Sequence, residues 1–144
     1  MNKRTLAIVV VSASSLPLAR QIKKQFPDAV IYSKESQEET VLMESIDSIM
    51  GDLFLKAEAI VFIGAMGICV RCIAPYVMDK HTDPAVVCID STGKYIIPVL
   101  SGHIGGANEL STELAQLLGG NAIVTTQSDN TGLWALDTLA EKFG

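Results

Sequence analysis

The residues best suited to chemistry lie in one short stretch, the segment 101–106. Three glycines within five positions, Gly102, Gly105 and Gly106, let the backbone turn sharply and approach a ligand closely. His103 lies among them, and because histidine titrates near neutrality it could act as a general base on water or donate a hydrogen bond to a carboxylate. The helix predicted to follow offers unpaired N–H groups and a positive dipole end to an anion. We therefore expect a functional site at this segment.

Ser101, Asn108 and Glu109 are the polar neighbours of this glycine turn. Glu109 could join His103 in acid–base chemistry, but a carboxylate in the first turn of a helix is also what the helix dipole favours. A tight strand-to-helix turn would by itself account for the glycines, and His103 would then be an exposed loop residue. The histidine, asparagine and glutamate beside the glycines favour the functional interpretation.

Two cationic residues could bind the carboxylates of a ligand. Arg71 is the one basic residue of an otherwise apolar segment, and its guanidinium suits carboxylates. The alternative for Arg71 is an internal ion pair with Glu58 or Asp79. Lys80 belongs to the polar segment 79–83, which could be a solvated loop or could contribute cationic and acid–base groups to a site.

Cys69 and Cys72 have the spacing of a metal or redox motif. A structural zinc site would need two further ligands, and the chain offers no second paired motif to supply them. A thioredoxin-like motif would precede a longer helix than the one predicted here. We therefore interpret both cysteines as small buried core residues and predict no protein metal site.

Strands and helices alternate along the chain and must position these residues. Strand patterns occupy 5–11, 29–32, 59–63, 85–89, 95–97 and 122–124. Helical periodicity lies between them, with apolar faces that include Leu18, Ile22 and Phe26, then Leu42, Ile46, Ile49 and Leu53, then Ile68, Val70 and Ile73, then the helix 107–118, and finally Leu133, Leu136, Ala140 and Phe143. The loop 90–94 suits a hairpin. The pattern predicts a three-layer α/β/α fold with a mostly parallel sheet and one antiparallel hairpin.

In open sheets of this type, ligands bind beyond the carboxyl ends of the strands. A second glycine turn, 64–67, follows one predicted strand, but it lacks the complete dinucleotide fingerprint, so a nicotinamide or flavin cofactor is not favoured. We expect this turn to share one edge of the sheet with the segment 101–106 and with the polar segments 12–15 and 125–129.

Size and composition narrow the class of protein. The 144 residues suit a single domain, 1–144, and with 49% hydrophobic and 19% charged residues the chain is a soluble globular one with no apolar run long enough to span a bilayer. A net charge of −5 argues against nucleic-acid binding. The apolar run after Lys3 and Arg4 is interpreted as a strand and not an export signal. Three cysteines, an odd number, fit a reduced cytoplasmic protein.

These motifs, in this order, resemble the amino-terminal part of the cobalamin-biosynthesis protein G family, CbiG, the cobalt-precorrin 5A hydrolases. The resemblance covers about half of the chain, and its most specific part is the segment around His103. The matching positions are 63–68, 70–75, 79–80, 83–87, Gly93, 97–103, 105–110, 125–126 and Asp129. One departure is Ser91-Thr92, which stands where the family often has an acidic residue, so no acid role is implied for that loop.

The resemblance implies a role in anaerobic vitamin B12 synthesis, in which water opens the ring-A lactone of cobalt-precorrin 5A and acetaldehyde is released. It implies His103 as general acid or base, with Glu109 as the second catalytic candidate. The backbone of Gly102, Gly105 and Gly106 would donate to an oxyanion or a carboxylate. The predicted substrate-binding residues are Gly64, Gly67, Arg71, Lys80, Ser101, Gly102, Gly105, Gly106, Asn108 and Thr126, with Lys94 as a further carboxylate partner.

The resemblance also implies partners. No resident cofactor is expected, because the substrate carries the cobalt. Proteins similar to this one usually continue into further domains, so we expect a piece of a longer protein whose carboxy-terminal domains, or a fused corrin methyltransferase, complete the machinery. A homodimer is the other expected assembly.

Two rival functions stay open. The domain could hold the tetrapyrrole, or dock against a neighbouring domain, without catalysing the reaction. It could also be a nucleotide-binding α/β domain, which thermal stabilisation by nucleotides but not by tetrapyrroles would reveal.

Overall fold

Seven strands form one sheet in the computed structural model, which describes residues 5–102 and 105–126. The strands are β1 (Leu6–Val10), β2 (Val30–Ser33), β3 (Thr40–Leu42), β4 (Ala59–Ile63), β5 (Ala85–Ile89), β6 (Tyr95–Leu100) and β7 (Asn121–Ala122). Their order across the sheet is β3-β2-β1-β4-β5-β6-β7. The α-helices of the described part are α1 (Leu16–Gln25), α2 (Ile46–Lys56), α3 (Met66–Ile73) and α4 (Ala107–Leu118).

Helices cover both faces of this sheet. Successive side chains of a strand point to opposite faces, so Leu6, Ile8 and Val10 of β1 pack on the side of α1 and α4, whereas Ala7 and Val9 pack on the side of α2 and α3. Because both faces are buried, β1, β4 and β5 are continuous apolar runs without alternation. The predicted three-layer α/β/α fold is confirmed.

The sheet is parallel from β3 to β5 and then reverses. β5 and β6 pair antiparallel, and β7 runs parallel to β6. The carboxylate of Asp90 holds the connecting turn, since its Oδ1 accepts the Tyr95 N–H at 2.6 Å and its Oδ2 accepts both the N–H and the hydroxyl of Thr92. The predicted antiparallel hairpin is confirmed, and it makes β6 and β7 end at the edge where β1, β4 and β5 begin.

The segment between β2 and α2 differs from its prediction. The expected polar loop contains the short edge strand β3, and Leu42 belongs to that strand, where it is 61% exposed, and not to the helix. α2 begins at Ile46 because the side chain of Ser45 accepts the Ser48 N–H while the Ser48 hydroxyl accepts the Ser45 N–H. A serine in place of the usual Glu or Gln at the third helical position hid this capping box in the sequence.

The buried face of α3 also differs from its prediction. Cys69, Cys72 and Ile73 are buried, whereas Ile68 and Val70 are exposed. A short helix that is apolar on all sides gives no periodicity from which to choose the inward face. The interpretation of Cys69 and Cys72 as core residues is confirmed.

The prediction for α4 is confirmed in full, including its end at Gly119, which adopts the left-handed conformation with φ 71°. β7 is shorter than expected and begins one residue earlier. The predicted final helix around Leu133 and Leu136 lies outside the described residues. No helix in the described part of the chain is long and apolar enough to cross a bilayer.

Candidate functional site

The two glycine turns lie at opposite edges of the sheet. Gly64 follows β4, and its N–H donates to the carbonyl of Ile89 at the end of β5 (2.9 Å). Ser101 follows β6, in which Leu100 pairs with Val86 near the start of β5. A five-residue strand spans roughly 16 Å. The expectation that 64–67 and 101–106 share one edge is therefore wrong, because the hairpin reverses β6.

We call the edge at the carboxyl ends of β1, β4 and β5 the first edge, and the edge at the carboxyl ends of β6 and β7 the second edge. The first edge carries the segments 12–15, 64–67 and 90–94. Close packing explains why residue 64 is a glycine, since a Cβ there would lie 2.5 Å from Cγ2 of Val11. Gly67 is exposed, and a Cβ there would meet no atom within 4 Å.

The second edge carries the segment 101–106, and close packing shapes this loop. Ser101 is only 9% exposed and adopts a left-handed conformation with φ 60°. A Cβ on Gly105 would lie 2.6 Å from the Ser101 Cβ, and a Cβ on Gly102 would lie 2.8 Å from Oδ1 of Asn108. Gly106 has φ 86° and precedes α4. The loop conformation therefore requires glycine at 105 and 106, whereas a side chain at 102 would displace the amide of Asn108.

Some of the backbone N–H groups in the first turn of α4 already donate hydrogen bonds to the preceding loop. The N–H groups of Ala107 and Asn108 donate to the carbonyls of Ser101 (3.2 Å) and Gly102 (3.0 Å). The helix start thus offers an anion fewer donors than expected. The N–H groups of Gly102, Gly105 and Gly106 donate to none of the described residues. These three amides, together with the N–H of Glu109 in the first turn of α4, are the donors at this edge that no described residue occupies.

Three predicted site residues at this edge are positioned by contacts. The amide nitrogen of Asn108 donates to Oγ1 of Thr126 at 2.9 Å, which joins the start of α4 to the segment after β7. Ser101 donates its hydroxyl to the Asp83 carbonyl at 3.4 Å. Glu109 is exposed in the first turn of α4. His103, the central catalytic candidate, and Asp129 lie outside the described residues.

The loop 78–83 precedes β5 and lies beside Ser101. Its fold depends on the Asp83 carboxylate, whose Oδ2 accepts the N–H groups of Met78 (2.8 Å) and Asp79 (3.2 Å). Lys80 is exposed on this loop. His81 was not among the predicted site residues, although the spacing of Asp79 and His81 was a usable signal.

Asp79 and His81 form a carboxylate–imidazole pair. Oδ1 of Asp79 accepts the backbone N–H of His81 at 3.0 Å and lies 3.1 Å from the ring Nδ1. These two hydrogen bonds, with the backbone one the larger influence, hold the pKa of the Asp79 carboxyl below its ordinary value. The second edge therefore presents an oriented imidazole and a lysine on the loop whose Asp83 carbonyl accepts the Ser101 hydroxyl.

Arg71 lies in the last turn of α3, exposed to solvent. Neither of the ion pairs considered for it is formed, since among the described residues no carboxylate oxygen lies within 4.0 Å of its guanidinium. Arg71 lies a turn closer to the second edge than Gly67, because α3 runs back from the end of β4 towards the start of β5. Its guanidinium is open to an anionic ligand.

The three cysteines are buried and free. Cys88 donates its thiol hydrogen to the Gly64 carbonyl at 3.4 Å. A hydrogen bond with Cys88, and then burial, raise the pKa of the Cys69 thiol, so it stays protonated. In the described ranges no group of three His, Cys, Asp or Glu side chains is arranged to hold a metal ion.

These features define an α/β domain whose polar loops converge where a reversed strand pair ends. The chain belongs to the family described as cobalamin synthesis G N-terminal, whose model matches residues 48–129, more than half of the chain. The matched region begins in α2 and contains both glycine turns and the loop 78–83, so the family covers both edges.

Two named relatives support this family assignment. The chain is 38% identical over 142 residues to a cobalt-precorrin-5A hydrolase of Salmonella typhimurium, covering 97% of this chain and 40% of that protein. It is also 38% identical over 146 residues to a cobalt-precorrin-5A hydrolase of Priestia megaterium, covering 96% and 39%. The chain thus spans about two fifths of the length of these relatives.

A solved structure has the same fold. The crystal structure of a cobalamin biosynthesis protein G homolog from Sulfolobus solfataricus superimposes with a TM-score of 0.66 at 28% sequence identity. The match covers 85% of this chain and 36% of that one. The α/β architecture described above is therefore the one found in a protein of this family.

Proposed function

We propose that this chain is the amino-terminal domain of a cobalt-precorrin 5A hydrolase of the anaerobic route to vitamin B12. The observation that carries the proposal is the 38% identity over 97% of the chain to a protein named for this activity. The second edge supports it, because its glycine amides, its polar pair Asn108–Thr126 and its cation Lys80 lie within the region that the family model matches.

The reaction opens a lactone, so water adds across an ester bond and leaves a carboxylate and an alcohol. Loss of the alcohol proton then allows the bond between the carbinol carbon and the macrocycle to break, so that acetaldehyde leaves and the bonding electron pair stays on the conjugated macrocycle. His103 is the proposed general base, with Glu109 as the second acid–base candidate. The free amides of Gly102, Gly105 and Gly106 would stabilise the oxyanion that forms on the lactone carbonyl.

The remaining proposed roles are in substrate binding. Arg71 and Lys80 would bind peripheral carboxylates of the tetrapyrrole, because neither cation is held in an ion pair with a described residue. Asn108 and Thr126 would orient the lactone through their shared hydrogen bond, and Ser101 would position the loop. Gly64 and Gly67 keep a substrate-binding role only if the macrocycle also reaches the first edge.

The rest of the machinery is proposed to lie in the same polypeptide or in a partner. Since the chain spans about 40% of its relatives, carboxy-terminal domains, a fused corrin methyltransferase or a second copy of the chain would complete the site. No resident cofactor is required, because the cobalt arrives with the substrate. The three buried cysteines are reduced, which supports a cytoplasmic location.

Anaerobic incubation with cobalt-precorrin 5A tests this function. Acetaldehyde release and the absorption spectrum of the ring are followed together, first with the 144-residue chain and then with the full-length protein. We expect the full-length protein to release acetaldehyde and its His103→Ala variant to lose at least about a hundredfold in kcat, as general-base removal predicts. Full turnover by that variant would contradict the assignment of His103.

The second candidate is a binding domain that does not catalyse the reaction. The short span relative to its relatives is the observation that favours it. A spectral shift with the 144-residue chain, without acetaldehyde, would establish this alternative.

A further inference from the structure

A groove of about 550 Å³ lies at the second edge, between α2 and the segment 74–83, and no role above uses it. Apolar side chains supply most of its walls, and they are Phe54, Leu55, Pro75, Tyr76 and Met78. Its volume falls in the range of about 300–1,000 Å³ that is usual for small-molecule sites. Its size and its mostly apolar lining suit a small molecule that presents an apolar surface to the groove.

Tyr76 lines this groove and packs against α2, whose sequence makes room for its ring. A Cβ on Gly51 would lie 3.1 Å from Cε1 of the Tyr76 ring, so the ring rests on the bare helix backbone. Phe54 packs beside it, with ring centroids 6.0 Å apart and planes tilted by 40°. Glycine inside a helix costs stability relative to alanine. α2 therefore gives up helix stability at the one position where a methyl group would press on this ring.

Leu55 and Met78 stand on the two rims. Leu55 is 84% exposed and Met78 is 86% exposed, so neither contributes much to the core. Large exposed apolar side chains grouped around a concavity are typical of a binding surface. Methionine is flexible and polarizable, which suits contact with a conjugated ring.

The acidic residues of the groove are already engaged. The Asp83 carboxylate accepts two backbone N–H groups, and Oδ2 of Asp52 lies 3.8 Å from Nζ of Lys56. Both carboxylates remain charged, so the peripheral carboxylates of a ligand would lie away from Asp52 and Asp83 and towards Lys80 on the adjoining loop, while the apolar side chains contact the ring.

The groove is continuous with the candidate site. Asp83 lines the groove, and its carbonyl accepts the hydroxyl of Ser101. A ligand in the groove would thus have its edge near Ser101. We propose that the groove holds one face of the cobalt tetrapyrrole, with Tyr76 as the stacking platform and Leu55 and Met78 as the rims. The inference rests on the proposed function, whose substrate is this macrocycle.

Two exposed leucines give a matched test. Cobyrinic acid with its cobalt in the Co(II) state, a corrinoid with free carboxylates and one axial face without a ligand, is titrated anaerobically into the 144-residue chain, and binding is followed by calorimetry and by the visible spectrum. Leu55→Ser should weaken binding about tenfold, because the complex loses a buried leucine side chain. Leu42→Ser, on β3 at the first edge, should leave the affinity unchanged.

Gly51→Ala tests the position of the Tyr76 ring without removing any contact. The added methyl group shifts the Tyr76 ring by a few tenths of an ångström, so corrinoid affinity should fall several-fold while the thermal midpoint stays within a few degrees of the parent value. A fold defect would instead lower the midpoint and the affinity together, and Leu55→Ser, on an exposed rim, provides the independent measurement.

The outcomes separate this inference from the proposed function. If the parent chain binds the corrinoid and all groove variants bind it equally well, the groove assignment is overturned while the function stands. The groove assignment is also overturned if the parent chain binds no corrinoid. It is overturned as well if Leu55→Ser changes the sedimentation behaviour of the chain but not its corrinoid affinity, because the groove would then be a protein contact. The function fails separately, if the full-length protein releases no acetaldehyde.

Discussion

Ser101 has a left-handed backbone although it carries a side chain, and its neighbours explain why it is held there. Its hydroxyl donates to Asp83, its carbonyl accepts the N–H of Ala107, and Gly105 packs against its Cβ. Backbone strain of this kind persists only where the surroundings impose it, and such positions cluster at functional sites. Ser101, which is held in this conformation, precedes the catalytic candidate His103 by two positions in the sequence.

Gly105→Ala should destabilise the domain. The new Cβ would lie 2.6 Å from the Ser101 Cβ and 2.9 Å from its carbonyl oxygen, and backbone atoms cannot move aside cheaply. We expect the free energy of unfolding to fall by about 1–3 kcal/mol in urea titrations. Gly67→Ala is the control, because its Cβ enters open space in α3, where alanine favours the helix by up to about 1 kcal/mol. Equal effects of the two changes would contradict the packing argument.

His81→Ala should raise the pKa of Asp79. The pKa of that carboxyl is below its ordinary value because of the backbone N–H and the imidazole of His81, and only the imidazole is removed. A lowered pKa means that the pair adds stability above the ordinary pKa and loses it as the pH falls through the lowered one. Carboxyl chemical shifts in an NMR titration measure the change. Lys80→Ala should move the same titration less, since its charge is the smallest influence on Asp79.

At the scale of elements, the buried strands and the helix α4 were predictable, whereas the short outer strand β3 and the start of α2 were not. β4 and α4 have the predicted bounds, because five consecutive apolar residues and a glycine-terminated periodic helix leave little choice. β3 was missed because a strand of three residues is too short to show an alternating pattern of apolar and polar residues. The hairpin itself was predicted, but the resulting reversal of β6 was not taken into account. Ser101 and Gly64 were therefore expected at one edge. An antiparallel hairpin by itself places the end of β6 at the edge where β5 begins, so their separation follows from the predicted topology.

Asp90 is the residue on which the reversing hairpin depends. Burial alone would raise its pKa, but hydrogen bonds from Thr92, Tyr95 and Lys94 outweigh it and lower the pKa below the ordinary value. Asp90→Ala should therefore lower the free energy of unfolding by about 1 kcal/mol at pH 7. The difference from the parent should shrink as the pH falls through the lowered pKa, because protonation removes the same stabilisation.

Urea titrations at pH 7 and pH 3 measure the Asp90 effect. Ser91→Ala, at an exposed position of the same turn, is the control and should change the free energy of unfolding by less than about 0.5 kcal/mol. A loss for Asp90→Ala that is the same at both pH values would mean that the carboxylate charge does not hold the turn.

For the whole molecule, the reversal of β6 decides which groups can act together. The loop 78–83, the glycine loop 101–106 and the groove beside α2 converge on Asp83 at the second edge. The first edge keeps the turn 64–67 and the hairpin 90–94, which lie a strand length away. The second edge therefore combines amide donors, a cation and an apolar groove, whereas the first edge combines glycine packing with a capped turn.

Two lysines, one at each edge, test this division. Lys80 is exposed beside the glycine loop, whereas Lys94 lies in the hairpin turn with its Nζ 5.6 Å from the centroid of the Tyr95 ring. In the full-length protein, Lys80→Ala should raise the KM for cobalt-precorrin 5A about tenfold, ~1.4 kcal/mol, because a carboxylate of the substrate loses its cation. Lys94→Ala removes the same charge and should leave KM unchanged.

The Lys80 effect should also weaken with added salt, since exposed charges are screened. If the two variants raise KM equally, substrate carboxylates are bound at both edges, and the second edge is not the sole binding surface of this domain.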